Sequence, residues 1–459
     1  MKYSFKNIIK YKYWLVLLLL SAGVVWYFFY LSRDPVSHGN QQAASLDIAL
    51  SWNNLILEYD RYAEGYRSPV SARMWAYTQL AAWEAALPGL PENRSVIKDV
   101  GGPELPAWNQ RHTFIMPVAL NAVYSTISQR FFYHAPTWMK DKSKNHTQEI
   151  FNKLLNRYPH DSYMESKKFG EAIANTIFNW SASDTIGHMA HMFNYDKNYQ
   201  IIRGEGKWVE DEFEPMPPLL PSWGAARTFI VDTGKLSVTP PLEYSKSKGS
   251  PLFAQAIEVF NVSFPESVEK RWISEFWRDD IPGTTFTGVS RWFSISDQII
   301  VQKNSNFTIA METWLKLALA LNDLCVNIWK IKYQYSFQRP SSYIRQNIDF
   351  DWQPMHTTPP FPAYPSGHSA FGATSAVILS QVYGPKIYFI DRSHEGREGF
   401  SSKPRTFSSF DEMARENAFA RILIGTHFRM DCEEGLRLGQ QVGEKVSLLN
   451  CRKSQEVAK

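Results

Sequence analysis

Pro365-Ser366-Gly367-His368 runs straight into Ser369-Ala370-Phe371-Gly372-Ala373-Thr374-Ser375-Ala376-Val377-Ile378-Leu379, a run of small and apolar residues with the composition of a buried helix. The start of that helix carries the chemistry. A helix N-terminus presents N–H groups with no intrahelical partner and the positive end of the backbone dipole, so it receives an anion readily. Gly367 lets the backbone approach a ligand closely, and the Ser366 hydroxyl can donate to it. The plainer use of the same residues is an ordinary serine cap with His368 exposed in the first turn. The rest of the C-terminal third decides between the two.

Two further blocks supply what an anion needs. Lys332 is followed, after six residues, by Arg339-Pro340. An offset of seven returns to nearly the same helical face, so both cations can aim into one pocket. Pro340 disfavours helical geometry at Arg339, which puts the arginine at or just beyond a helix end with its fork free to grip two oxygens. Arg421, His427 and Asp431 follow, separated by five and then three residues. On a helix His427 and Asp431 share a face, and the carboxylate accepts from one ring nitrogen while sharpening the other as ligand or nucleophile. Arg421 sits about 120° away on a straight helix. A common pocket therefore needs a break at Gly425-Thr426, with one helix ending near Ile424 and the next starting near His427. Each block alone has a bland structural use. Together they describe one oxyanion pocket built from Lys332, Arg339, Ser366, Gly367, His368, Arg421 and His427.

Elsewhere the chain reads as mainly helical. Apolar residues recur at helical spacing over 44–62, 70–86, 108–132, 162–180, 307–333, 369–382, 410–424 and 434–449, and strand-like alternation is scarce. The expected fold class is all-α: a helical domain over 45–451 with its anion-binding bundle in 305–450. Met216-Pro217-Pro218-Leu219-Leu220-Pro221 forbids a regular helix in the connection over 205–251. Hydrophobic residues are 44% and aromatic residues 15% of the 459, enough to fill a large core, so disorder is not the default. The 49 basic and 45 acidic residues leave no basic arm beyond the N-terminus, and no nucleic-acid partner is expected. Cys325, Cys432 and Cys451 lack metal-ligand spacing and read as free buried thiols, although Cys432 and Cys451 can pair in an oxidising compartment. His188 and His191, three apart, have no identifiable third ligand and read as structural.

The first 31 residues read as an address label. Residues 1–13 carry Lys2, Lys6, Lys10 and Lys12, and an unbroken apolar run over 14–31 follows. Ser21-Ala22-Gly23 precedes aromatic residues instead of a polar mature start. An uncleaved transmembrane anchor is expected, its lysines cytoplasmic and the remainder on the extracytoplasmic side. Residues 32–44, rich in Ser, Gly, Asn and Gln, read as a tether.

Lys-x6-Arg-Pro, Pro-Ser-Gly-His and Arg-x5-His-x3-Asp match, at every spacing, the signature shared by vanadium-dependent haloperoxidases and type 2 phosphatidic acid phosphatases. The chain resembles the soluble bacterial haloperoxidases beyond that signature. Phe361 to Gly372 looks like the haloperoxidase form of the middle block, and Arg405 to Phe410, with Glu416 and Arg421, resembles the approach to the third. Asp60 to Ala86 looks like the first helices of bacterial members. Trp329 and Phe361 stand where fungal chloroperoxidases place aromatic residues around the halide, which favours a non-algal type. Asp279 and Asp280 resemble a segment that supplies an acidic partner to a pocket arginine. One departure is Ala420, where both groups often carry Ser before the arginine.

The resemblance implies a helical bundle of the haloperoxidase and acid phosphatase type. It implies vanadate bonded to His427, with Asp431 behind that ring and the remaining oxygens met by Lys332, Arg339, Arg421, Ser366 and the Gly367 amide. His368 would be acid and base, hydrogen peroxide and halide the substrates, and hypohalous acid the product. The same residues suit a phosphomonoesterase, with His427 forming phosphohistidine and His368 protonating the leaving group. A tethered module that binds an oxyanion without chemistry is the third reading.

Overall fold

The computed structural model describes residues 37–211, 213–263, 267–398 and 403–453. The expected anchor over 14–31 lies outside them. No helix of the described residues is long and apolar enough to cross a membrane.

Thirteen α-helices and one small sheet form the described fold. The N-terminal half holds α1 (His38–Tyr62), α2 (Ser68–Ala86), α3 (Met116–Phe131), α4 (Thr137–Leu155) and α5 (His160–Ala182). Residues 38–44, expected as tether, are the first turns of α1, so the polar composition there marks an exposed helix start. Every residue of α2 is buried, and Trp75 and Trp83 are among the largest side chains of the core. A helix buried on all sides belongs inside a bundle, and α2 packs against α3, α5 and the central α9 (Phe307–Tyr335). Before α9 come α6 (Pro251–Val262), α7 (Val268–Phe276) and α8 (Ser290–Gln302); after it come α10 (Pro340–Asn347), α11 (Gly367–Tyr383), α12 (Phe410–Leu423) and α13 (Arg429–Ser447). Among the described residues of the connection over 183–250, the one helical element is a short 3-10 turn at Trp223–Ala225, as the prolines there demand.

The purely helical expectation needs one correction. β1 (Lys386–Asp391) and β2 (Arg405–Ser409) form an antiparallel pair, with Asp391 opposite Arg405 and Phe389 opposite Phe407. Alternating burial along β1 is the period-two signal of a half-buried strand. The three cysteines are free and buried.

One contact positions the site. Gly435, Gly439 and Gly443, four residues apart, line the face of α13 that meets α11. A Cβ at Gly435 would lie 2.4 Å from Ser366 O, and one at Gly439 2.3 Å from Ala370 O. Only glycine permits this approach. It draws the N-terminus of α11, with Ser366 and Gly367, against the start of α13, where Asp431 sits.

Candidate active site

Lys332 lies in the last turn of α9, fully buried, and its ammonium donates to Pro362 O at 3.0 Å and Ala363 O at 2.8 Å. Ser336 ends that helix in the left-handed region at φ 49°. Arg339 follows as the N-cap of α10 in an extended conformation. Lys332 and Arg339 therefore do not share a helical face as the spacing suggested; Pro340 fixes Arg339 outside both helices. Arg339 Nε donates to Phe361 O at 3.0 Å and Nη1 to Thr426 O at 2.9 Å, and Nη1 also faces His427 Nε2 at 3.1 Å. Lys332 and Arg339 both lie over the Phe361 ring, at 5.2 and 4.9 Å from its centroid.

Ser366 is the N-cap of α11: its hydroxyl accepts from Ser369 N at 3.4 Å, and its own N–H donates to Asp431 O at 2.8 Å. That bond joins the second sequence block to the third. His368, in the first turn, keeps its carbonyl on Asn417 Nδ2 at 3.1 Å.

The break between α12 and α13 occurs where the spacing required it. Gly425 has φ +83°, a conformation that glycine alone adopts cheaply. The second helix starts later than expected, at Arg429, which leaves His427 in the loop just before it. The His427–Asp431 pair survives because Asp431, in the first helical turn, reaches back: Oδ2 lies 3.0 Å from His427 Nδ1 and accepts from Phe428 N at 3.0 Å. With a carboxylate at Nδ1 and a guanidinium at Nε2, the partners assign the proton to Nδ1 and the lone pair to Nε2. Burial, with Arg339 and Lys332 adding to it, holds His427 well below the ordinary histidine range, so the ring stays neutral.

Three cations are buried here without carboxylate partners. Among the described residues, Lys332, Arg339 and Arg421 have no acidic group within ion-pair distance. Burial lowers all three, Lys332 far below its usual range and Arg339 to about 10. Arg339 Nη2 and Arg421 Nε are buried with no hydrogen-bond acceptor. Unpaired buried charge and orphaned donors both cost free energy, and one tetrahedral oxyanion meeting these groups removes both costs. The donor set fits vanadate or phosphate.

A cavity of about 380 Å³ opens on the site. Gly367, His368, Arg421 and His427 line it, with Trp329 and Phe361 side by side at 5.2 Å between ring centroids. Lys332, Arg339 and Ser366 are buried beside the residues that line it. Asp279 and Asp280 part company. Asp279 is fully buried on Arg291 at 3.1 Å, and Arg291 also binds Asp391 at 3.1 Å, so its direct partner is a core arginine outside the pocket. Asp280 instead reaches His368, with Oδ2 3.2 Å from Nε2. His188 and His191 join no metal-sized cluster among the described residues.

Sequence spacing missed His356, which lines the same cavity. Burial, then Arg278 and Arg421, push it down from 6.5 to about 4. His356 and His427 stay neutral in the fold, while an unfolded chain takes up protons near pH 6.5. At these two positions the unfolded state binds more protons on acidification, so the stability they contribute is lost as pH falls below that value. Differential scanning fluorimetry isolates the His356 contribution: between about pH 7 and about pH 5 the Tm of His356→Gln should rise relative to that of the native protein at the same pH.

Comparison with known proteins follows the same lines. Residues 312–453 match the family model of the VCPO second helical-bundle domain. Vanadium chloroperoxidase of Curvularia inaequalis is 26% identical over 165 residues, 25% of this chain and 26% of that protein. The chain thus spans about a quarter of the length of that curated relative. The crystal structure of the first bacterial vanadium-dependent iodoperoxidase superposes with a TM-score of 0.77 at 24% identity, over 90% of this chain and 98% of that one. The holo form of a bacterial vanadium-dependent chloroperoxidase gives 0.65 at 12% identity, over 85% and 93%. Those two likenesses show the fold. Residues 312–453 thus match the second helical bundle of vanadium chloroperoxidases, and the fold of the whole described chain is similar to that of the bacterial vanadium-dependent haloperoxidases.

Proposed function

We propose that the site holds orthovanadate and that the protein oxidises halide with hydrogen peroxide, taking up one proton and giving hypohalous acid and water. The observation that carries this reading is the set of three buried cations with no carboxylate partner around a neutral histidine. His427 would hold the vanadate through Nε2, and Lys332, Arg339, Arg421, Ser366 and the Gly367 N–H would meet its oxygens. When bound, vanadate supplies a Lewis-acidic centre that activates peroxide without changing oxidation state. Asp431 keeps the proton on His427 Nδ1 and so keeps Nε2 available. His368, on the cavity wall, takes the proton of incoming peroxide and returns one to the departing oxygen. Trp329 and Phe361 give the halide an apolar, water-poor wall. The related proteins named for iodoperoxidase and chloroperoxidase activity support the class of reaction and leave the halide open.

The neutral, Asp431-backed His427 also suits attack on a phosphate monoester, which is the second reading. We further propose that the N-terminal lysines and apolar run anchor this domain on the extracytoplasmic face of a membrane.

Orthovanadate at 100 times its Kd should stabilise the protein by about 2.7 kcal/mol, read as a rise in Tm. Arg339→Ala should lose most of that rise. The loaded protein should then oxidise iodide only when peroxide is present. A protein without either response does not carry this function.

A further inference from the structure

The connection over 183–250 frames a second groove, of about 490 Å³, beside the anion cavity. Ile186, Met189 and Phe193 give it an apolar wall, Lys197 gives it a cation, and Trp223 completes the lining. Tyr195 lines this groove and the anion cavity alike, so the two are neighbours with one side chain in common. A space of this size suits a small organic molecule.

The frame of the groove is firmly held. Tyr195 bridges Leu219 antiparallel, Asp196 N donates to Pro218 O at 3.0 Å, and Leu220 N donates to Asn194 O at 2.7 Å. From α9, Tyr333 donates its hydroxyl to Leu219 O at 2.7 Å. Leu220 is thereby kept at φ 52°, a left-handed conformation that a bulky side chain adopts only under constraint. The 3-10 turn that follows carries Trp223. Gly224 seats this turn on α9, where an added Cβ would lie 2.6 Å from Lys330 Cβ.

Trp223 is the residue that points to a ligand. It is 1% exposed, and its Nε1–H is buried with no hydrogen-bond acceptor. A buried indole usually finds a partner, and leaving the donor unmade costs free energy. Phe193, on the same groove, is 73% exposed, an aromatic surface left to solvent. The carboxylate of the lining, Asp196, has Oδ1 engaged by Asn198 N at 2.9 Å. Apolar wall, orphaned donor and cation together describe the complement of the ligand.

We propose that this groove is a binding site for a small organic molecule with an acceptor oxygen on an apolar body. The Trp223 N–H donates to that oxygen, Lys197 favours an anionic one, and Phe193 covers the apolar part. The ligand lies beside the anion cavity, on the other side of Tyr195, and the site stands whether or not vanadate occupies that cavity.

The probe is 3-phenylpropanoate, with 3-phenylpropylamine as its counterpart of the same shape and opposite charge. The full chain, without vanadate, is labelled with ¹⁵N-tryptophan, and the Trp223 indole resonance is assigned by its absence in Trp223→Phe. 3-Phenylpropanoate should shift that resonance and saturate with a Kd of about 1 mM or below, while the amine leaves it unmoved. Saturation transfer to the probe should show binding about 10-fold weaker in Trp223→Phe. Phe193→Ala should weaken it by about 5-fold and Lys197→Gln by about 3-fold; both change exposed residues, so the test does not depend on repacking around position 223. Excess inorganic phosphate, which fits the anion site, should leave this binding intact. An unmoved Trp223 resonance, equal binding of the amine, native affinity in all three variants, or loss of binding with phosphate overturns the proposal.

Discussion

Replacing His427 by alanine is expected to lower kcat/KM by at least about 10³-fold, a loss of about 4 kcal/mol of transition-state stabilisation. No other residue of the site combines a neutral ring, a carboxylate on one nitrogen and a lone pair beside the buried cations. His427 sits in the loop before α13, so its loss removes no helical hydrogen bond, and circular dichroism should be unchanged. Both chemical readings need the residue. The test is therefore halide oxidation by the vanadate-loaded variant, run beside hydrolysis of p-nitrophenyl phosphate. Full retention of whichever activity the native protein has would refute the site itself.

Gly439→Val should be the most destabilising single change in the C-terminal bundle, by about 3 kcal/mol or more. A Cβ there would meet Ala370 O at 2.3 Å and Ala373 Cβ at 2.9 Å, and both belong to the neighbouring helix. Neither can yield without separating α11 from α13. Because α11 begins at the anion site, the change should also weaken orthovanadate binding. Gly39→Ala is the control: nothing lies within 4 Å of its added Cβ, and stability should stay within about 0.5 kcal/mol. Urea denaturation of both variants gives the comparison.

Much of the site was legible because its logic is local. Pro340 fixed Arg339 outside a helix, Ser366 and Gly367 marked a helix start, and Gly425 marked the break before His427. Face arguments did less well. They assumed one helix through Lys332 and Arg339 and another through His427 and Asp431, whereas in each pair one partner stands in a loop. Contacts between distant segments were out of reach. Nothing in the local pattern of Asp279 and Asp280 says that one turns to Arg291 and the other to His368. The glycine stripe of α13 was readable as a four-residue repeat, but its meaning depends on which helix faces it. Helix α4 escaped because it is largely polar and exposed, with Met139, Ser143, Phe151 and Leu154 its buried residues. The β1–β2 pair escaped because a five- or six-residue strand gives little alternation to read.

The central claim is that the buried cations hold vanadate for peroxide chemistry. The most direct measurement loads the purified protein with orthovanadate and follows oxidation of iodide, bromide and chloride with hydrogen peroxide, beside ester hydrolysis by vanadate-free protein. The account predicts oxidation of at least one halide that requires both vanadate and peroxide and is suppressed by excess phosphate, which fits the same donors. Efficient phosphate ester hydrolysis with no halide oxidised under any loading would contradict it.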